Sequence, residues 1–289
     1  MSANTVDFRL NRGPGESSRQ RSPNIWYDCP ILDIVEGNRN GVFFRDDFVD
    51  FPLAGVLTTQ AALGTYKAFG STGSTITKPS TFNSVEVPGG AAELAVVTND
   101  LSASIAHAFP TFLISGSTAN SGKLWFECCV AQNGIGVDRA SSIFGLAETE
   151  QFTLANTVPL NGGDAFSNAG AFLGFQVTED GLGAVNAGYT DRGTSLVNAV
   201  AGIGTLAANT FAKFGFVYDP YSYDAGQCIK WYFNNLQVGQ TSKAVLTGTT
   251  NLKANALGFI WAMAADTAGT TSKNWMKWWS CAQVFEPLG

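Results

Sequence analysis

Cleavage of a glycosidic bond needs two carboxylates converging on one linkage, one as acid and one as base or nucleophile. On a β-strand, residues i, i+2 and i+4 share a face, so alternating carboxylates are the pattern that would build such a pair. The 289-residue chain lacks it. Glu127 has Trp125 and Cys129 as same-face neighbours, and Asp46 and Asp47 are adjacent and so face opposite ways. Glu148 and Glu150 alternate only at the end of an apolar run, beside Thr149 and Gln151. His107 is the single histidine, set in Ile105-Ala106-His107-Ala108-Phe109-Pro110 with no Gly-x-Ser-x-Gly elsewhere. A packed or surface imidazole is expected there rather than a triad base, and one histidine cannot make a multi-His metal site.

Gly202-Ile203-Gly204-Thr205-Leu206-Ala207 fits the dinucleotide fingerprint letter by letter, but nothing around it reads as a strand–helix–strand unit. Asp219-Pro220-Tyr221-Ser222-Tyr223-Asp224 offers two carboxylates, too few for a calcium cage without further ligands, and reads as a hairpin loop. The five cysteines, Cys29, Cys128, Cys129, Cys228 and Cys281, are odd in number and contain no Cys-x-x-Cys, so buried free thiols are expected. No catalytic residue, metal ligand or cofactor is therefore assigned.

The elements that must position any site are strands. Runs rich in Phe, Val, Ile, Tyr and Trp and punctuated by Gly, Asn and Ser fall at 42–48, 63–69, 93–98, 123–131, 142–147, 170–178, 184–189, 211–218, 228–233, 237–240, 257–264 and 275–285. About a dozen strands without alternating helices predict an all-β, two-sheet sandwich. Residues 195–209 (SLVNAVAGIGTLAAN) read as a short helix, limited by Gly202 and Gly204. The strongest local signal is Ile229-Lys230-Trp231-Tyr232-Phe233-Asn234-Asn235-Leu236-Gln237-Val238, two apolar runs around Asn-Asn. Asn tolerates the positive φ of a two-residue type I′ turn, so a hairpin is predicted here.

Composition bounds the partners. Lys and Arg number 17 against 23 Asp and Glu, a formal charge of −6, so no nucleic acid is expected, since its binders need a basic face. No run approaches the ~20 apolar residues of a helical membrane span, no signal peptide is seen at the start, and no Asn-x-Ser/Thr sequon occurs; folding in a reducing cytosol is expected. Residues 1–24 carry Arg9, Arg12, Arg19 and Arg21 against Asp7 and Glu16, a local charge of +2, among Gly, Ser and Pro. Such a segment cannot bury enough surface to fold alone. Ile25-Trp26-Tyr27 and Pro30-Ile31-Leu32 follow as anchor points. The predicted organisation is an extended N-terminal arm over 1–40, reaching at most ~130 Å, and a sandwich over 41–289. The residues expected to hold a partner are Arg9, Arg12, Arg19, Arg21, Ile25, Trp26, Tyr27 and Ile31.

The hairpin residues Trp231, Phe233, Asn234-Asn235 and Val238 resemble the late hairpin of the concanavalin A-like and laminin-G-like jelly-roll superfamily. Trp275, Lys277-Trp278-Trp279, Ala282 and Val284-Phe285 look like its last strand, and Phe43-Phe44-Arg45-Asp46-Asp47-Phe48 like its first. The resemblance covers roughly 41–289 and implies the fold. Enzymes of that superfamily carry the alternating carboxylates missing here. The polar arm and the Gly- and Ala-rich sandwich together also look like capsid decoration (cement) proteins of tailed-phage virions. That likeness implies a structural, non-enzymatic protein on the capsid exterior, assembled in the host cytoplasm, with the major capsid protein as partner and a homo-trimer as assembly. The alternative it leaves is a carbohydrate- or receptor-binding tail module, with Trp278 or Trp279 and Tyr221 and Tyr223 stacking on sugars.

Overall fold

The computed structural model describes residues 20–48, 55–56, 61–70, 73–79, 81–82, 85–86, 90–96, 102–114, 122–133, 135, 140–148, 170–178, 182–190, 197–222, 228–244, 255–265 and 271–285. Two short helices open it, α1 (Pro23–Trp26) and α2 (Ile31–Val35). The strands are β1 (Gly41–Asp46), β2 (Gly55–Val56), β3 (Ala61–Leu63), β4 (Tyr66–Gly70), β5 (Thr75–Thr77), β6 (Thr81–Phe82), β7 (Val85–Glu86), β8 (Ala92–Val96), β9 (Ser102–His107) and β10 (Phe112–Ile114). They continue with β11 (Leu124–Gln132), β12 (Ala140–Ala147), β13 (Phe172–Val177), β14 (Ala184–Thr190), β15 (Val197–Thr205), β16 (Ala212–Tyr218), β17 (Ile229–Phe233), β18 (Leu236–Thr241), β19 (Asn255–Ala265) and β20 (Ser272–Val284).

Two antiparallel sheets result. The first runs β18-β17-β16-β11-β20-β8-β5-β2, the second β15-β14-β13-β12-β19-β9-β4-β3. The long strands β20 and β19 are the organisers. One edge of β20 pairs β11, and its other edge is shared end to end by β8 (Ser272 to Met276) and β1 (Trp279 to Val284). In the same way β19 holds β12 on one side and β10 then β9 on the other.

Period-two alternation explains why the sheets stack. On β11, Leu124, Phe126, Cys128 and Val130 join the central core, whereas Trp125 joins a separate cluster on the outer face. On β19, Leu257, Phe259, Trp261 and Met263 face inward, while Ile260 and Ala262 belong to an outer cluster. The core is aromatic. Phe259 stacks on Trp279 with ring centres 4.3 Å apart, Phe126 on Phe216 at 5.1 Å, and Phe175 meets Trp231 edge-on at 5.5 Å. Such offset and edge contacts add about 0.5–1.5 kcal/mol each beyond area burial. Because much of both faces of each sheet is covered, β11, β12 and β13 read as continuous apolar runs rather than clean alternations.

The predicted hairpin is present. Asn234 and Asn235 have φ of 46° and 69°, the double left-handed pair of a type I′ turn, and Phe233 pairs with Leu236 across it. Asn234 also accepts a bond from Lys213 N–H at 3.0 Å. Asn234→Ala should therefore cost about 1–3 kcal/mol, combining left-handed strain with one lost hydrogen bond. Urea denaturation would measure it, and a change under ~0.5 kcal/mol would contradict this account.

Two expectations need correction. Residues 197–205 are not helical but form β15, paired with β14 through two register shifts. Gly202 sits at φ 61° in the middle and donates its N–H to Asn186 Oδ1 at 2.9 Å. A run of Ala, Gly and Val carries no decisive period, and the free edge of β14 decides it. The arm is not extended over its described part: residues 23–26 and 31–35 are helical and lie on the first sheet. The sequence carries no strand signal at the two- and three-residue strands β2, β5, β6, β7 and β10, nor at β9, where outward serines dilute the apolar pattern.

Candidate functional site

The outer face of the first sheet carries a buried polar construction. Glu127 stands at its centre on β11 and is fully buried. Its carboxylate accepts the Ser22 backbone N–H (2.9 Å to Oε2, 3.2 Å to Oε1) and the Trp26 indole N–H (2.8 Å to Oε2). Burial pushes the Glu127 carboxyl up from its ordinary range, opposed by the bonds from Ser22 and Trp26 and by the Lys213 ammonium. A carboxylate in an apolar strand is stable only with such partners.

The segment ahead of β1 is built to supply them. Pro23 starts α1, where its missing N–H costs nothing. This turn sends Ile25 and Trp26 onto Trp125, Val217, Tyr232, Ala282 and Val284. Gly215 makes room: a Cβ there would lie 2.5 Å from Ile25 Cδ1. Further clamps are Asn24 on the hairpin turn (Asn24 N to Asn235 Oδ1, 3.0 Å; Asn24 Nδ2 to Asn235 O, 2.8 Å) and Trp125 Nε1 to Asp28 Oδ1 at 2.9 Å. The Arg21 guanidinium lies over the Trp26 and Phe43 rings at 5.2 and 5.3 Å.

Between α1 and strands β16 to β18 this docking leaves a cleft of about 450 Å³. Asn24, Tyr27, Lys123, Val217, Asp219, Lys230, Tyr232 and Gln237 line it. Lys123 sits at one end between Asp28 and Asp219, the latter 3.3 Å away.

The expected partner residues divide. Arg9, Arg12 and Arg19 lie outside the described residues. Ile25 and Trp26, expected to grip another molecule, are buried against the chain's own sheet, with Arg21 beside them and Ile31 half-buried at the cluster's edge. Among the described members of that set only Tyr27 is open, at 76% exposure. The sequence does not mark Glu127, Asp28, Lys123 or Asn235 for this docking. The one available signal was a charge between Trp125 and Cys129.

Other sequence candidates serve structure. His107 is enclosed by Phe44, Tyr66, Phe259 and Trp279, and burial lowers its pKa to about 4. Asp46 takes the Tyr66 hydroxyl at 2.6 Å. Glu93 takes the Trp275 indole at 2.7 Å and Lys273 at 3.0 Å. Asp219 is held by Lys123 and by the Tyr221 N–H, while Tyr223 and Asp224 lie outside the described residues, as does Glu150. Both glycines of the literal fingerprint, Gly202 and Gly204, lie on β15. All five cysteines are free, with Cys128, Cys129, Cys228 and Cys281 buried and Cys29 half-buried, its thiol pushed by burial to about 12. Trp278 and Trp279 are both fully buried, on opposite faces of β20, so neither is open to stack on a sugar. Among the described residues, no three His, Cys, Asp or Glu side chains gather as metal ligands.

No family model and no curated protein sequence matches the chain. Solved structures do. A glucuronan lyase from the fungus Trichoderma reesei superposes with a TM-score of 0.51 at 11% identity, over 84% of this chain and 95% of its own. Peanut lectin gives a TM-score of 0.51 at 14% identity, over 85% and 98%. A protein of unknown function from Shewanella oneidensis gives 0.50 at 10%, over 89% and 94%. A lyase and a lectin share this architecture, and identity this low speaks for the fold alone. Strand order and register show a two-sheet antiparallel β-sandwich, and these likenesses give its fold, and the fold alone, as a concanavalin A-like jelly-roll.

Proposed function

We propose that the chain is a non-catalytic structural protein of a bacteriophage virion, a capsid decoration protein that binds the outer surface of the head and clamps neighbouring major capsid subunits. The observation that supports this reading is the two-sided segment ahead of β1. Its inner side chains, Ile25, Trp26 and Ile34, are buried on the sheet, whereas Tyr27, Leu32 and Val35 are 76%, 69% and 65% exposed. These are three of the seven large apolar side chains left open among the described residues, gathered within nine positions. Apolar side chains concentrated in this way suit a protein contact better than solvent. The sequence preceding them supplies Arg9, Arg12 and Arg19 for an acidic partner surface. A trimer about a local symmetry axis would present three such segments. The carboxylates described above are occupied by structural bonds, which favours attachment over hydrolysis.

The chain added to undecorated phage heads should sediment with them. Leu32→Ser/Val35→Ser should keep its melting temperature and bind at least ~10-fold more weakly, since exposed positions contribute little to stability while buried interface anchors contribute about 1–2 kcal/mol each. Equal binding by the variant, or none by the parent, would overturn the proposal. A second reading, a carbohydrate-binding tail module, is favoured by the cleft beside Tyr27, which offers polar groups and an open aromatic ring that the buried Trp278 and Trp279 do not.

A further inference from the structure

The cleft between α1 and strands β16 to β18 holds charge and hydrogen-bonding capacity that the fold does not use. Lys123 is shared by Asp28 and Asp219, so its charge is fully committed and that corner keeps one negative charge in excess. Lys230, projecting from the outer face of β17, has no carboxylate partner among the described residues. Tyr232, two positions on and therefore on the same face, packs its ring in the cluster beneath α1 and is only 6% exposed. Its hydroxyl lies near Tyr27, Asp28 and Lys123 and has no hydrogen-bond partner among the described residues. Gln237 adds an amide from β18, and Tyr27 stands at the mouth with its ring open.

These groups select a ligand class. Lys230 is the cleft ammonium outside any ion pair among the described residues, and beside the excess negative charge of the Lys123 corner it suits a single carboxylate better than a phosphate dianion. A flat, exposed tyrosine ring suits the C–H face of a pyranose, and a hydroxyl and an amide that both donate and accept suit its hydroxyl groups. The volume falls within the ~300–1,000 Å³ of ligand pockets. We propose that this cleft binds an acidic saccharide, with the carboxylate of a uronic acid unit on Lys230, its ring against Tyr27 and its hydroxyl groups on Tyr232 and Gln237.

The site shares Tyr27 with the proposed capsid contact, but its test involves no capsid, so either reading can fail without the other. It also depends on the docked segment, since Tyr27 is carried there by α1.

The test titrates the full chain calorimetrically with trigalacturonic and triglucuronic acid, their methyl esters, and a tri-glutamate peptide. At least one acid should bind saturably, with its ester about tenfold weaker, the loss expected for one charge-assisted contact. Lys230→Met should erase the difference between acid and ester. Tyr232→Phe, which removes an oxygen not used by the fold, should weaken binding about fivefold. Tyr27→Ala should do the same to the esters as to the acids. Absence of saturable binding by both acids up to about 10 mM, an affinity too weak for a built site, overturns the proposal. So does equal binding of acid and ester, or binding indifferent to Lys230→Met. Tighter binding of tri-glutamate than of either sugar would reassign the cleft to acidic peptides and equally overturn it.

Discussion

Glu127→Ala is expected to lower stability by about 2–5 kcal/mol and to release residues 20–40 from the sheet. The estimate comes from the groups left behind. Ser22 N–H and the Trp26 indole N–H both end on Glu127, at 2.9 and 2.8 Å. Alanine leaves two buried donors unmet, at about 1–3 kcal/mol each. The chain can relieve that only by lifting α1, which uncovers Ile25 and Trp26. Two measurements follow. Guanidinium denaturation gives the overall loss, and hydrogen exchange at Ser22 and Trp26 should rise by orders of magnitude while exchange on β19 rises only as much as global stability falls. Glu127→Gln keeps one acceptor oxygen and should fall between parent and alanine variant. Unchanged exchange at Ser22 in the alanine variant would show that Ile25 and Trp26 hold the segment without help. Because Tyr27 reaches the cleft on α1, release should also abolish saccharide binding there.

The second large effect is acid sensitivity carried by His107. It is 4% exposed and ringed by Phe44, Tyr66, Phe259 and Trp279, with Asp46 bonded to the Tyr66 hydroxyl. Removal from water disfavours the imidazolium and lowers its pKa from 6.5 to about 4. The folded protein therefore binds this proton more weakly than the unfolded chain. Stability contributed by the neutral imidazole is fully present above pH 6.5 and is lost as the pH falls toward 4. A gap of this size corresponds to about 3 kcal/mol. Urea denaturation of the parent and of His107→Phe at pH 7 and pH 4 isolates it, since Asp46 and every other titrating group is common to both proteins. The parent should lose about 3 kcal/mol more than the variant between the two pH values. Parallel losses would mean that the imidazole is hydrated.

The sandwich was legible from residues alone because its signal is local. Trp231, Phe233 and the Asn234-Asn235 turn specify a hairpin within ten residues, and the long apolar runs of β11, β12 and β19 each carry their own pattern. Missing strands follow the same logic in reverse. On β9 the serines at 102 and 104 face outward on a surface that is nonetheless buried, so the usual polar-out pattern did not mark an edge of the core. The run 197–205 has a composition that fits either period, and its pairing with β14 decides the outcome. For the site, Arg21, Ile25, Trp26 and Ile31 lie against the chain's own first sheet while Tyr27 stays open, and residue types alone do not say which surface such side chains meet.

What the sequence by itself determined is a double-layered β architecture, one type I′ hairpin and the lack of an alternating carboxylate ladder. These rest on side-chain period and turn chemistry, which act over a few residues. What only the tertiary structure decided is the use of the outer face of the first sheet. Glu127 finds Ser22 across 105 positions, and Asn24 finds Asn235 across 211. Contacts of that separation leave no periodic trace in a single sequence, because the partners are brought together by sheet formation and not by neighbouring residues. The cleft of Tyr27, Lys230 and Tyr232 exists for the same reason, as the space left when a leading segment folds back on strands made two hundred residues later.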